Sequence, residues 1–246
     1  SIDTTAGVFT SRIAVGSFGK KSNLDLKWNR PFTQHKPDKL NNYIGVKYHV
    51  HYDAPDNLIA LHNFKNGYCG MSKIDKNRYC LCYLTNAENL QKSGKSVKEM
   101  EAKILYQNPK LKKIFETAVF LYQEPLVISQ ISFHKKSQIE NHVMLIGDTA
   151  GVITPLCGNG MSMAMHSGKI AFEHISKFLR NYTSRETMEE NYISEWNKTF
   201  KRRLFTGRLV QSFFGSNTGT AVFLTLMKAL PFIANKIIKA THGKPF

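Results

Sequence analysis

The segment from residue 143 to residue 178 constrains the fold more than any other part of the chain. It opens with four apolar residues, 143–146, which predict a short buried strand that stops just before Asp148. After Gly158 and Gly160, apolar and small residues recur at helical spacing and predict a long helix. A strand, an acidic turn, a glycine turn and a helix in this order are typical of the ligand-binding edge of an α/β sheet.

The predicted glycine turn favours a polar ligand. A helix that begins near Gly160 directs unpaired backbone N–H groups and a positive dipole end out of the turn. Glycine lets a ligand approach closely, Asp148 can accept a hydrogen bond from a ligand hydroxyl, and Pro155 stiffens the approach. The spacing alone is equally compatible with Gly and Asp residues that serve only the geometry of the turn.

A resemblance to a known family favours the ligand interpretation. The chain reads I-G-D-T-A-G-V-I-T-P-L-C-G-N-G-M-S from residue 146, and this run resembles the second FAD-binding motif of flavoprotein monooxygenases and of the related geranylgeranyl reductases. In that family a G-D-x-A segment precedes P-x-x-G-x-G. The matching positions here are Gly147, Asp148, Ala150, Pro155, Gly158 and Gly160.

The resemblance implies a set of FAD contacts. It implies that Asp148 binds the ribityl chain of FAD, and that backbone N–H groups around Gly160 and Met161 lie beside the flavin pyrimidine edge. Only backbone roles are carried over at Met161-Ser162, because the family often has Asn shortly after the last Gly. The implied cofactor-binding residues are Gly147, Asp148, Pro155, Gly158, Asn159, Gly160 and Met161. NAD(P)H is a candidate electron donor.

Composition indicates a globular chain with a basic surface. The 246 residues are 42% hydrophobic, and the formal net charge is +16. The lysines form small scattered groups, and no zinc finger, RNP-like or helix-turn-helix pattern accompanies them, so nucleic acid is not an expected partner. The basic surface is equally compatible with simple solvation and with binding to an acidic carrier protein or an anionic membrane face.

The cysteines and histidines do not predict a metal site. The cysteines are Cys69, Cys80, Cys82 and Cys157, and no secretory signal opens the sequence. We therefore expect reduced cysteines in a cytoplasmic protein, with peripheral membrane contact left open. Cys80 and Cys82 share one strand face, and so do His49 and His51. Two side chains are too few ligands to form a metal site. Cys157 is either a reactive thiol in the turn or a residue selected for size.

The amino-terminal segment predicts a strand that ends at Val15, within an A-x-G-x-x-G pattern at Ala14, Gly16 and Gly19. Residues 20–37 contain two prolines and no helical period, so we do not interpret the pattern as a dinucleotide fingerprint. It is similar instead to the central A-D-G motif of the same flavoprotein family. Because Val15 replaces the Asp, the pyrophosphate contact of that side chain is not carried over.

Members of that family open with a βαβ unit that carries G-x-G-x-x-G, and the 246 residues contain no such unit. We therefore expect the chain to correspond to the carboxyl-terminal two-thirds or so of a longer enzyme. Enzyme activity is expected of the full-length protein, and retention of FAD by this chain alone is left open.

Residues 41–84 predict short antiparallel strands in a meander, separated by turn signals. In the resembling family this sheet forms the substrate domain over the flavin. Tyr68 and Met71 are candidate substrate contacts, and a role in the core of the sheet is equally compatible with them.

Helix signals occupy the rest of the chain. Capping boxes are predicted at Ser96 with Glu99 and at Thr183 with Glu186. The second is followed by apolar residues at steps of four, namely Met188, Tyr192, Trp196, Phe200 and Leu204. The last apolar part is interrupted too often for a spanning helix and predicts two short helices, the second beginning at Pro231.

These patterns predict an α+β fold. Residues 1–36 and 137–182 form the remainder of an FAD-binding, Rossmann-like α/β domain. An antiparallel substrate sheet, 37–136, is inserted beside it, and carboxyl-terminal helices, 183–246, follow.

The predicted function is that of an FAD-dependent oxidoreductase, either a monooxygenase or a double-bond reductase. The resemblance implies a hydrophobic aromatic, polyketide or isoprenoid substrate, free or carrier-bound. No catalytic side chain is named, because the redox chemistry belongs to the cofactor. The alternative is a cofactor-free basic module that binds an acidic carrier protein or a membrane surface.

Overall fold

The chain forms two compact units in a computed structural model that describes residues 1–38, 40–242 and 246. Unit 1 comprises residues 1–36, 133–208 and 236–246, and unit 2 comprises residues 37–132 and 209–235. The assignment of a cofactor role to 1–36 and 137–182, of a substrate role to 37–136 and of a helical tail to 183–246 stays a prediction.

The strands are short in unit 1 and long in unit 2. In chain order they are β1 (Ile2–Thr4), β2 (Gly7–Phe9), β3 (Ala14–Gly16), β4 (Tyr43–His51), β5 (Ile59–Phe64), β6 (Gly67–Asp75), β7 (Arg78–Asn86), β8 (Val119–Phe120), β9 (Leu126–Ile131), β10 (Ile139–Glu140) and β11 (Val143–Leu145).

The α-helices are concentrated in the carboxyl-terminal half. In chain order they are α1 (Asn23–Lys27), α2 (Ala87–Lys92), α3 (Val97–Lys103), α4 (Pro109–Thr117), α5 (Gly160–Leu179), α6 (Arg185–Gln211), α7 (Asn217–Ala229) and α8 (Pro231–His242). The α+β class, with an antiparallel sheet and carboxyl-terminal helices, is confirmed.

Unit 1 contains a three-stranded sheet in the order β10-β11-β3. The predicted strand at 143–146 is confirmed as β11, which pairs in parallel with β3 and antiparallel with β10. The predicted amino-terminal strand is shorter than expected. The residues before it form a separate hairpin, β1–β2, with a turn at Thr5-Ala6 that is followed by Gly7 at a positive φ.

Helices supply most of the core of unit 1. The five apolar residues predicted at steps of four on α6 are all buried, as expected for a stripe that packs against another element. Their helix begins at Arg185, one residue later than the capping box at Thr183 predicts. Ser184 is the cap instead, since its Oγ accepts a hydrogen bond from the N–H of Thr187 at 3.2 Å.

Helix α1 corrects the prediction for residues 20–37. We expected no helix there, whereas Ser22 caps a five-residue helix and Asp25 completes a capping box with it. A helix of about one turn is too short to produce a hydrophobic period, so only the cap residues could have indicated α1.

Unit 2 is organised around an antiparallel sheet in the order β5-β6-β7-β4-β8, with β9 also paired to β4. The meander prediction is right for β5, β6 and β7 and wrong for β4, which pairs with β7 rather than β5. The reason is burial. Ile44, Val46, Tyr48 and Val50 of β4 are each at most 9% exposed, so this strand takes a central position with partners on both edges.

Three helices cover one face of this sheet. Met100 of α3 and Leu111 of α4 are fully buried against the strands, and the predicted cap at Ser96 is confirmed. Helix α4 begins at Pro109, because Asn108 caps it. Helix α2 was not predicted.

The predicted pair of carboxyl-terminal helices is confirmed, with Pro231 as the first residue of α8. Among the described residues, no helix is by itself long and apolar enough to cross a membrane. Helices α7 and α8 meet that test of length and composition only when taken together as a bent pair.

Candidate functional site

The acidic turn follows β11 directly. After Leu145 the chain forms a short 3₁₀ turn, Gly147–Thr149. Gly147 has a φ of 60° and donates its N–H to Oγ of Ser167 on α5 at 2.8 Å. A Cβ at Gly147 would lie 3.3 Å from Cβ of Ala164, so this position needs glycine both for its backbone angle and for the close approach of α5.

Asp148 lies half-buried at the tip of the strand, and it is not sealed in the core. Burial raises the pKa of its carboxyl, and the nearby positive charge of Lys136 opposes that shift. Nζ of Lys136 donates to the carbonyl oxygens of Asp148 at 2.8 Å and Lys20 at 2.6 Å, and lies 4.4 Å from the ring centroid of Phe32. Burial, with Arg30 nearby, lowers the pKa of Lys136 to about 8.

A buried ion pair supports the acidic turn from behind. The guanidinium of Arg30 contacts the carboxylate of Asp25 at 2.6 Å, and both side chains are fully buried. Arg30 also donates to the carbonyl oxygens of Thr149 at 3.1 Å and Ser137 at 2.9 Å. The hydroxyl of Thr149 donates to the carbonyl oxygen of Gly19 at 3.1 Å, which ties the A-x-G-x-x-G segment to the same turn.

The glycine turn opens helix α5 where the sequence predicts. Gly158 is left-handed, with a φ of 67°, and no atom beyond the adjacent residues lies within 4 Å of the position that a Cβ would take. Helix α5 begins at Gly160, and the carbonyl of Asn159 accepts the N–H of Met163 at 3.0 Å. The side chain of Asn159 does not cap the helix but donates to the carbonyl oxygen of Thr241 on α8.

Backbone donors remain available at this turn. The first N–H groups of α5, from Gly160 to Ser162, have no intrahelical acceptor by geometry. Met161 is 83% exposed and Gly160 is half-buried, so this helix end lies at the surface of unit 1. An anionic or electron-rich ligand group can therefore reach these donors.

Pro155 and Cys157 form the 3₁₀ turn that leads into Gly158. Burial raises the pKa of the Cys157 thiol, and Sγ lies 3.4 Å from Oγ1 of Thr154. A Cβ at Gly207 of α6 would lie 3.0 Å from that Sγ. A neutral thiol packed this tightly fits selection for size better than a reactive role.

Tyr68 and Met71 are both buried in unit 2, at 6% and 4% exposure. They are three residues apart on β6, so they lie on opposite faces of the sheet. Met71 belongs to the core beneath the helices, and Tyr68 packs edge-to-face against Phe214 on the other face. A ligand on one face can contact only one of them, and the substrate role of either stays a prediction.

Two supporting residues were missed by sequence reasoning. Arg30 contacts partners more than a hundred residues away, and Lys136 resembled the scattered surface lysines in its Lys135-Lys136 pair. No local pattern marks either of them.

Comparison with solved structures identifies the fold. The chain resembles the flavin-dependent brominase Bmp2, with a TM-score of 0.73 and 17% identity over 94% of this chain and 57% of that chain. It also resembles HpxO of Klebsiella pneumoniae, solved with FAD and uric acid, with a TM-score of 0.67 and 14% identity over 96% and 61% of the two chains. The fold is that of the FAD-dependent monooxygenases and halogenases.

Curated relatives match the chain over shorter segments. The chain is 40% identical over 68 residues to digeranylgeranylglycerophospholipid reductase 3 of Methanosphaera stadtmanae, which is 26% of this chain and 17% of that protein. No family model matches the chain. The chain spans less than a quarter of the curated relatives it matches and less than two thirds of the matched solved structures. The resemblance to FAD-dependent oxidoreductases is confirmed at the level of the fold.

Proposed function

We propose that this chain is part of an FAD-dependent oxidoreductase and that residues 147–161 hold the central part of the cofactor. The observation that carries the proposal is the start of α5 at Gly160, directly after the open, left-handed Gly158 and in the same unit as Asp148. The flavin-dependent fold of the chain supports it.

The described residues fit the cofactor in three respects. Space beside Gly158 allows a flat group to approach the backbone. The first N–H groups of α5 lack intrahelical acceptors, and the side chain of Asn159 does not occupy them. Asp148 is half-buried and carries no salt bridge within the described residues, so its carboxylate can accept a hydrogen bond from a ligand. When bound, FAD supplies the redox chemistry.

The chain itself contributes binding and electrostatics. Asp148 would accept a hydrogen bond from a ribityl hydroxyl. The N–H groups of Gly160 and Met161, with the helix dipole, would stabilise negative charge on the pyrimidine side of the ring by about 0.3–2 kcal/mol. Arg30 and Lys136 hold the backbone of the acidic turn in place through its carbonyl oxygens.

The proposed substrate is a hydrophobic aromatic, polyketide or isoprenoid molecule, free or carrier-bound, that is hydroxylated or reduced. The name of the archaeal reductase supports the isoprenoid class. The face of the unit 2 sheet opposite the helices also supports an apolar substrate. One row across it contains Tyr68, Leu84 and Ile128, and Ile128 is 43% exposed. Tyr68 is therefore the better of the two candidate substrate contacts.

Flavin titration of the protein from its complete reading frame tests the proposal. Asp148→Ala removes a charged hydrogen-bond acceptor, so we expect the Kd for FAD to rise about tenfold or more. The control is Asp75→Ala, since Asp75 lies at the end of β6 in unit 2, in a solvent-exposed pair with Arg78. Failure to take up FAD, or equal affinity in the Asp148 variant and the wild type, would contradict the proposal.

A further inference from the structure

A second concave surface lies in unit 1, between α5, α6 and α8. It is a groove of about 1130 Å³, and none of its lining residues falls within 147–161. The groove is strongly basic. Its cationic side chains are Lys177, Lys198, Arg202, Arg203, Lys236 and Lys239. Neither the motif at the glycine turn nor the flavin fold assigns a role to this surface.

Cationic side chains outnumber carboxylates along the groove. Among the described lining residues there is one carboxylate, that of Glu195, which lies 2.8 Å from Nε2 of His174 on the facing helix α5. Lys198 and Arg202 are one helical turn apart on α6, and neither forms a salt bridge in the described part of the chain. Lys236 and Lys239 lie one turn apart on α8. Two cationic rows therefore line the groove.

Arg203 gives the groove a fixed and partly dehydrated charge. Its side chain is 7% exposed and lies over the ring of Phe200, 5.5 Å from the centroid. Burial lowers the pKa of this guanidinium, and no described carboxylate pairs with it. Nδ1 of His166, another lining residue, is buried without a hydrogen-bond partner in the described structure. A buried cation without a counter-ion is costly, and an anionic ligand would offset that cost.

The shape and the charge of the groove select the class of ligand. A concave site of about this volume is of the size that takes small molecules, whereas a helix that binds a membrane surface buries an apolar face, and the residues lining this groove are mostly charged or polar. A group of several phosphates can pair with more of the six cationic side chains than a single phosphate can. We propose that this groove binds a small molecule that carries two or more phosphate groups.

Calorimetry with inorganic pyrophosphate, tripolyphosphate and orthophosphate tests this proposal, at low and at moderate salt. We expect pyrophosphate and tripolyphosphate to bind about tenfold or more tightly than orthophosphate, because they can pair with more of the cationic side chains. Lys198→Glu/Arg202→Glu should weaken pyrophosphate binding by about tenfold or more. The matched control is Lys110→Glu/Lys113→Glu on exposed positions of α4 in unit 2, which changes the net charge equally and should leave the affinity within about threefold.

A second variant keeps the test independent of folding defects. Arg203→Met removes the buried charge without burying a new polar group, so the variant should fold while losing the rise in Tm that pyrophosphate gives the wild type. The measurement needs no flavin, so its failure is distinct from failure of the cofactor proposal.

Three results would overturn the inference. The first is an absence of pyrophosphate binding at low salt, and the second is an equal loss of affinity in the groove variant and the α4 control. The third is binding to vesicles that contain phosphatidylserine without competition from pyrophosphate, which would assign the groove to a lipid surface.

Discussion

The two units are stabilised in different ways. In unit 2, β4, β6 and β7 are each nine residues long, and their apolar side chains pack under α3 and α4 in a continuous core. In unit 1 the sheet consists of strands of two or three residues, and a fully buried Arg30–Asp25 pair lies behind the acidic turn. Regular apolar burial therefore stabilises unit 2, whereas unit 1 combines the apolar core of its helices with buried charges that support both the fold and the candidate site.

Arg30→Met should cause the largest loss of stability among the substitutions that test this difference between the units. It leaves Asp25 buried without a counter-ion and frees the carbonyl of Thr149, so we expect the free energy of unfolding of unit 1 to fall by about 3–5 kcal/mol. Urea unfolding combined with amide hydrogen exchange would measure the loss and assign it to unit 1.

The exposed pair of Arg78 with Asp75 in unit 2 provides the matched control. Arg78→Met removes the same kind of contact in water and should leave the unfolding midpoint unchanged. Equal effects of the two substitutions would contradict the claim that buried charge supports unit 1.

Glu101→Ala is the corresponding test in unit 2. The hydroxyls of Tyr48 and Tyr83 both donate to Oε1 of Glu101 at 2.8 Å, and all three groups are buried. Removal of the acceptor leaves two buried hydroxyls unpaired, and we expect a loss of about 2–4 kcal/mol in chemical unfolding. Glu99→Ala, on the exposed side of the same helix, should change stability by less than about 0.5 kcal/mol. Similar losses in both variants would argue against a structural role for the buried carboxyl.

A pair of helical glycines distinguishes tight packing from loose packing in unit 1. A Cβ at Gly207 would lie 2.9 Å from Oγ1 of Thr154, whereas a Cβ at Gly168 would meet its nearest atom at 3.8 Å. We expect Gly207→Ala to destabilise the protein by about 1–2 kcal/mol, because overpacking outweighs the gain in helix propensity. Gly168→Ala should be neutral or stabilising by up to about 1 kcal/mol in thermal unfolding. The opposite ranking would show that α6 does not constrain the Thr154–Cys157 turn.

The smallest expected effect is a pH dependence in unit 2. Burial raises the pKa of Glu101, so the folded state favours the protonated carboxyl. The stability that this protonation contributes is fully present below the unfolded pKa of about 4.3 and is lost as pH rises through the folded pKa. Glu101→Gln should remove this decline, as measured by urea unfolding of unit 2 across that pH range. An unchanged slope in the variant would assign the pH dependence to other groups.

Sequence patterns predicted the elements with strong periods or end signals. The strand at 143–146, the start of α5 at Gly160, the buried stripe of α6 and the start of α8 at Pro231 are local features, and the structure confirms them. The short helices α1 and α2 were not predicted, because they contain too few residues to show a hydrophobic period.

Tertiary partners could not be predicted. The pairing of β4 with β7 depends on burial along both edges of the strand. Arg30 and Lys136 act on Thr149 and Asp148 across long sequence separations, and a basic residue in a loop looks the same whether it is solvated or buried. The glycine turn was therefore predictable, and the charged support behind it was not.

Amide hydrogen exchange of the protein from its complete reading frame, with and without FAD, tests the central claim most directly. If the turn holds the cofactor, FAD should slow exchange at residues 147–149 and 158–163 and leave the hairpin of β5 and β6 in unit 2 unchanged. Exchange at those two segments that does not respond to saturating FAD, while flavin binds elsewhere on the protein, would contradict the account.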